Sequence, residues 1–250
     1  MKQWLAPVRR LVRRCGWDVI RYNWQTNINV RRHFLLRRLG IVCVLDIGAN
    51  VGDYVESLRR FGYRGEIVSV EPTRGAFQAL ETRSRRDPRW TARCLAVAAS
   101  AGEQTIHVAS NSVSSSLMQR SAALAAAAPE SRYIAEETVS ATTLDALAAE
   151  ARAALRPVWA KLDVQGSAAE ILTASKQALR HLSALEIELP FVPMYTGEGL
   201  FPQIAEELQQ RGFELVSLEP NTFDRDRGAV LEVNGIYVRR GAWGRAECES

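Results

Sequence analysis

Residues 42–52, VCVLDIGANVG, decide how this 250-residue chain is read. Ile41, Val42 and Val44 make a β-branched apolar run, the signature of a buried strand, which ends at Asp46. A glycine-spaced turn follows, Gly48-Ala49-Asn50-Val51-Gly52, and helical periodicity begins behind it at Val55, Leu58 and Phe61. Strand, glycine-rich turn and helix N-terminus in that order make a cradle for a nucleotide-type ligand, because glycine adopts unusual φ/ψ and lets the ligand approach the backbone. The spacing is not the dinucleotide fingerprint. Counted from Gly48, the second glycine position holds Asn50 and the third holds Asp53. A side chain at the second position keeps a pyrophosphate off the backbone, and a carboxylate at the helix start repels it. The turn suits a ligand with little phosphate or none.

Working outward, a second apolar strand, Ile67 to Val70, ends in Glu71-Pro72. A carboxylate at the tip of a second strand is placed to accept from both hydroxyls of a ribose, and Pro72 stops the strand. Acid-tipped strand, G-x-N-x-G turn and second acid-tipped strand together resemble the cofactor site of class I S-adenosylmethionine (SAM) methyltransferases. The plainer alternative is a βαβ unit whose turn happens to carry glycines.

Composition narrows the class. Nearly half the residues (47%) are apolar, enough for one sheet covered by helices on both faces. The net charge of +4 hides an asymmetry: residues 1–40 carry Lys2 and nine arginines against Asp18, a net +9, so the other 210 residues sum to −5. A basic total is therefore no argument for a nucleic-acid enzyme, and no nucleic-acid partner is expected. Cys15, Cys43, Cys94 and Cys248 form no C-x-x-C pair and the three histidines are scattered, so no metal site and no disulfide framework are expected. With no signal-type or membrane-spanning apolar run, a cytoplasmic location is the expectation, with peripheral contact at the inner face of a membrane an alternative.

Residues 4–15, WLAPVRRLVRRC, place Trp4, Leu5, Val8, Leu11, Val12 and Cys15 on one helical face and four arginines on the other. This basic amphipathic helix could pack on the domain, lie on an anionic membrane, or meet a partner. A second basic helix, 30–39, offers Phe34, Leu35, Leu36 and Leu39 to a core, with His33 at the surface. Beyond the second strand come a helix at 75–85, a third strand at 93–98 and its antiparallel extension at 104–109, with His107 facing solvent or the sheet edge. Residues 110–136 are irregular and read as a loop or a lid over the substrate. A helix from Thr142 to Leu155, a strand 158–162 tipped by Asp163, a helix from Ala168, a strand 185–189 and a helix 201–211 follow. Two late strands, 213–218 and 230–238, close the chain. The order predicts an α/β fold: a mainly parallel sheet with one antiparallel strand. The domain reading is a helical extension over 1–40, a catalytic domain over 41–240 and a tail over 241–250.

Six separated pieces, VLDIGANVGDY (44–54), EIVSVEP (66–72), NSVSSSL (111–117), TTLDAL (142–147), KLDVQG (161–166) and GIYVRR (235–240), make the chain resemble the FkbM-type methyltransferases. The resemblance implies a Rossmann-like seven-stranded sheet, SAM as methyl donor and O-methylation of a sugar or natural-product hydroxyl. It also implies a cofactor site of Asp46, Gly48, Asn50 and Gly52 at the methionine part, Glu71 and Pro72 at the ribose, and Ala96 and Val97 at the adenine. Asn111, Ser115 and Asp163 complete that set. The chain departs from the family pattern after DVQG, where an aromatic residue and Glu are replaced by Ser167 and Ala168, and a later Gly by Ala174.

Methyl transfer to a hydroxyl needs in-line alignment and a base for the hydroxyl proton. Asp163 is the first candidate, Gln165 a positioning residue and Glu188 the second choice of base, with helix capping the plainer role for Asp163. Two rivals are a SAM-binding or membrane-associated module without turnover, motivated by Ala168, and a nicotinamide-dependent oxidoreductase, which Asn50 and Asp53 oppose.

Overall fold

The computed structural model describes residues 5–111 and 113–243. Trp4, Ser112 and residues 244–250 of the tail, Cys248 among them, lie outside the described residues. In chain order the elements are α1 (Leu5–Arg14), α2 (Ile28–Arg38), β1 (Cys43–Ile47), α3 (Asp53–Arg60), β2 (Glu66–Val70), α4 (Arg74–Ser84) and β3 (Trp90–Arg93). Next come β4 (Ala96–Val97), β5 (Gly102–Ala109), α5 (Ala122–Ala127), β6 (Tyr133–Thr142), α6 (Leu144–Glu150), β7 (Val158–Leu162) and α7 (Ala168–Ala174). The last are α8 (Ala178–His181), β8 (Ala184–Pro190), α9 (Phe201–Gln210), β9 (Phe213–Asp224) and β10 (Ala229–Arg239).

A seven-stranded sheet runs β3-β2-β1-β7-β8-β10-β9. Its pairs are parallel except those of β10, which is antiparallel to both β8 and β9. β1 is buried along its whole length, and its side chains alternate between the two faces of the sheet. Cys43, Leu45 and Ile47 join one apolar layer with Leu147, Ile171 and Leu208 from the helices. Val44 joins the other with Leu36, Leu39 and Val55. Helix α2 thus belongs to the core of the sheet, through Leu35, Leu36 and Leu39. The strand order reverses between β1 and β7, which opens a crevice at the carboxyl ends of the central strands.

Several local expectations are corrected. The third strand of the main sheet is 90–93, where Trp90 pairs with Ile67. The 93–98 segment instead yields β4, which with β6 and β5 makes a separate three-stranded sheet. The irregular 110–136 segment contains the start of β6 as well as α5, capped by the Ser121 hydroxyl on Ala123 N and Leu124 N. Of the two places expected for His107 it takes the sheet edge, on the outer strand β5, where it stacks on Tyr133 at 4.9 Å and meets Gln119 at 2.8 Å. Phe34 is 44% exposed and stacks on Trp24. His33 is half-buried, with a buried Nδ1 that has no hydrogen-bond partner. The helix expected to reach Leu155 ends at Glu150, and Arg152 then turns with φ 57°.

Candidate active site

The glycine turn after β1 is built by backbone constraints. Gly48 has φ 73°, and a Cβ there would sit 1.7 Å from the carbonyl oxygen of Asp163, so only glycine lets the ends of β1 and β7 come this close. The amides of Gly48 and Ala49 both donate to the Val70 carbonyl at 3.0 Å, which ties the turn to the end of β2. Asn50 adopts φ 47°, a left-handed conformation that asparagine tolerates better than most residues. Gly52 (φ 94°) opens α3 and leaves room for the Trp90 ring.

Glu71, 6% exposed, locks the other side of this turn. Its Oε2 accepts from Asn50 N at 2.9 Å, and its Oε1 accepts from Thr73 N at 3.0 Å and Thr73 Oγ1 at 2.5 Å. Burial raises its pKa, and these bonds oppose the shift. A cavity of about 310 Å³ opens between the turn and β7. The turn, Glu71 and Pro72 form one wall, Leu95, Ala96, Val97 and Ile106 an apolar slot, and Ser115, Ser116, Lys161 and Asp163 the opposite side.

Lys161 organises the charges at the crevice floor. Its Nζ donates to Asp163 Oδ2 at 3.0 Å and to the Gly48 carbonyl at 3.3 Å, lies 3.6 Å from Asp46 Oδ1, and sits 5.3 Å from the centre of the Tyr54 ring. Burial alone lowers a lysine pKa, but here the charges of Asp163 and Asp46 outweigh it and raise the value. Asp46 is wholly buried and accepts from Ser69 Oγ at 2.9 Å; burial raises its pKa, opposed by Lys161.

A second cavity of about 390 Å³ adjoins the first and shares Tyr54, Val113, Lys161, Asp163 and Gln165 with it. Gln165 sits in a left-handed conformation (φ 47°), and a Cβ on the following Gly166 would run into Tyr195. Its Nε2 donates to Asp163 Oδ1 at 2.5 Å and to Glu188 Oε2 at 3.2 Å, while its Oε1 accepts from Tyr195 Oη at 2.6 Å. At the same cavity, Asn221 Nδ2 donates to Glu232 Oε1 at 2.8 Å and Glu188 Oε1 at 3.3 Å. Burial raises the pKa of both acids, with further upward pressure from Asp163; Glu188 moves well above its ordinary value and Glu232 to about 7. On the wall, Arg32 Nε donates to Glu186 Oε2 at 2.7 Å and Tyr54 Oη donates to the same oxygen at 2.8 Å.

The structure brings Gly48, Asn50, Glu71, Pro72, Ala96, Val97, Ser115, Asp163 and Gln165 to the first cavity. Asn111 and Glu188 line the second, where Asn111 Nδ2 donates to Ser114 Oγ at 2.9 Å. Asp46 and Gly52 line neither: Asp46 lies beneath Lys161, and Gly52 turns toward Trp90. Ala168 is buried at the start of α7 within the apolar layer. Sequence reasoning missed Lys161, Tyr54, Tyr195 and Glu232. A signal for Lys161 was available, since a lone lysine in the apolar VWAKL strand must find counter-charges. Among the described residues no group of three or more His, Cys, Asp or Glu side chains is placed to hold a metal ion.

A seven-stranded sheet with one antiparallel strand, and a glycine turn at its switch point, define a Rossmann-like class I methyltransferase fold. The FkbM methyltransferase of Methylobacillus flagellatus superposes with a TM-score of 0.50 at 14% identity, over 78% of this chain and 43% of the other. The present chain therefore spans less than half the length of that relative. The magnesium protoporphyrin IX methyltransferase of Synechocystis, crystallised with SAM, gives 0.45 at 12% identity, over 96% and 98% of the two chains. At these identities the likeness is one of fold. The methyltransferase FkbM domain matches residues 46–215, more than half of the sequence, and the chain belongs to that family, whose cofactor is S-adenosylmethionine. No curated protein sequence matches the chain.

Proposed function

We propose that this protein is a SAM-dependent methyltransferase acting on a hydroxyl of a small molecule, a sugar or a natural product. The carrying observation is the pair of adjoining cavities with Asp163 at their junction. The first cavity fits SAM. Gly48 lets the ends of β1 and β7 meet beside it, Glu71 keeps one acceptor position on Oε2 for a ribose hydroxyl, and Leu95 to Val97 offer an apolar slot for a flat base. Bound there, SAM supplies an electrophilic methyl group on a sulfonium sulfur.

The chain's own groups do the rest. Asn221, Thr222, Asn234 and Glu232 line the second cavity with hydrogen-bonding groups suited to a polyhydroxylated acceptor. Asp163 accepts the hydroxyl proton as the new carbon–oxygen bond forms. Burial and the nearby Asp163 and Glu232 push Glu188 toward its neutral form, while Asp163 lies 3.0 Å from Lys161 Nζ at the junction. Gln165 fixes Asp163 and is itself oriented by Tyr195. Val113, Ser115, Ser116 and Leu117 line the first cavity and help keep water from it.

Calorimetric titration with SAM, NAD and NADP tests the cofactor, with binding expected for SAM alone. Release of S-adenosylhomocysteine driven by a panel of hydroxyl acceptors tests the reaction. Binding of NAD in preference to SAM would overturn the reading, and SAM binding without release on any acceptor would favour the module without turnover, in which Ala168 is the residue to restore to Glu.

A further inference from the structure

The N-terminal segment carries a surface that the active site does not use. On α1, Leu11 and Val8 are 65% and 47% exposed and Cys15 is exposed, while Val12 is half-buried, so these described apolar residues are mostly turned outward and Val8 and Leu11 join neither core layer of the sheet. The connection to α2 adds Trp17 at 75%, Ile20 at 55% and Tyr22 at 65% exposure. Five arginines (Arg9, Arg10, Arg13, Arg14 and Arg21) accompany them within residues 8–24, against the single acid Asp18. Asp18 accepts from Arg9 at 2.8 and 2.9 Å and from Arg13 at 2.8 Å, which folds the connection back against the helix. Exposed aliphatic residues, tryptophan and tyrosine in a cluster of arginines are the composition of an interfacial anchor.

We infer that residues 8–24 dock the protein on an anionic lipid bilayer surface. The occupant is chosen by charge: the segment is cationic, and the arginines supply contacts to lipid phosphates while Leu11, Trp17 and Ile20 enter the acyl boundary. The anchor is peripheral, because no described helix is long and apolar enough to cross a membrane. It is also joined firmly to the catalytic domain. Arg31 donates to the Trp24 and Gln25 carbonyls, both at 2.9 Å, and to Ser217 Oγ at 2.6 Å on β9. The next residue, Arg32, lies on the wall of the second cavity. A bilayer bound by residues 8–24 is therefore held at a defined place relative to the acceptor cavity.

The test is co-sedimentation of the full chain with vesicles of phosphatidylglycerol and phosphatidylcholine, beside vesicles of phosphatidylcholine alone. Binding to the anionic vesicles is expected, weakening as salt screens the arginines. Leu11→Ser with Trp17→Ser should reduce the partition at least about tenfold. Both positions are exposed, so the variant keeps its melting temperature. Arg10→Glu with Arg14→Glu should abolish the preference for anionic lipid. Absence of binding to anionic vesicles overturns the inference, as does equal binding by the double serine variant. Concentration-dependent dimerisation in light scattering, lost in that variant and unaccompanied by vesicle binding, assigns the surface to a second copy and also overturns it.

Discussion

Gly48→Ala is the sharpest test of how the turn is built. The added Cβ would lie 1.7 Å from the Asp163 carbonyl oxygen and 2.8 Å from its carbon, so backbone and not a flexible side chain has to move. Asp163 N donates to the Ile47 carbonyl at 3.0 Å, so the end of β7 cannot retreat without breaking that bond. Placing alanine in the left-handed region at φ 73° adds about 1–2 kcal/mol, and forced overpacking adds about 1–3 kcal/mol. The sum, about 2–5 kcal/mol, lowers the melting temperature by roughly 4–20 °C in a chain of this size. The same displacement moves Asp163 and distorts the first cavity, so calorimetry should show SAM affinity falling with stability. Gly75→Ala is the control: nothing lies within 4 Å of its added Cβ, it sits in α4, and the change should be neutral or stabilising by up to about 1 kcal/mol. A Gly48→Ala protein with wild-type melting and wild-type SAM affinity would refute the close approach of the two strands and the cavity derived from it.

Four other changes probe the remaining parts. Asp163→Asn should lower kcat by about 10²–10⁴-fold with SAM affinity nearly unchanged; normal turnover would make Asp163 structural and Glu188 the next candidate. Glu71→Ala should weaken SAM binding by about 1.5–3 kcal/mol in calorimetry, and unchanged affinity in a folded variant would remove Glu71 from the site. For Glu232, the carboxyl loses its proton near 4.5 when unfolded and near 7 when folded, so its contribution is full below pH 4.5 and is lost as pH rises to 7. Urea denaturation at pH 5 and pH 7 should show wild type losing up to about 3 kcal/mol more over this interval than Glu232→Gln, and equal losses would contradict the burial argument. Arg32→Met should destabilise by about 3–5 kcal/mol because Glu186 is left buried without its counter-charge, whereas Arg32→Met with Glu186→Leu should recover most of that loss in the same melt.

What was legible in the sequence was what a short stretch of chain controls. The VCVLDIGANVG run carries its strand, turn and helix in local chemistry, and the alternation of Cys43, Leu45 and Ile47 against Val44 already says that β1 is covered on both faces. Glu71 was legible for the same reason, since a strand tip is a place defined by its own strand. The surroundings of Asp46 and Gly52 were not. Asp46 and Gly52 sit in the same motif as Gly48 and Asn50, yet what they meet is set by Lys161 and Trp90, far along the chain.

The rest of the site depends on pairings that no spacing announces. The 93–98 stretch that holds β4 reads as the third strand because its apolar composition is right, and only the pairing of β4 with β6, more than forty residues on, removes it from the main sheet. Arg32 reads as one of many surface arginines in a basic extension. Its partner Glu186 is 154 residues away on β8, and the pair is buried only because Leu35, Leu36 and Leu39 draw α2 into the sheet core. The apolar face of α2 thus determines the fate of a charge one turn away. With Arg31 and Arg32 both engaged by the sheet, the chain emerging from α2 starts from a fixed point. α1 keeps Val8 and Leu11 exposed, so the two basic helices, alike in composition, divide between holding the domain together and facing outward.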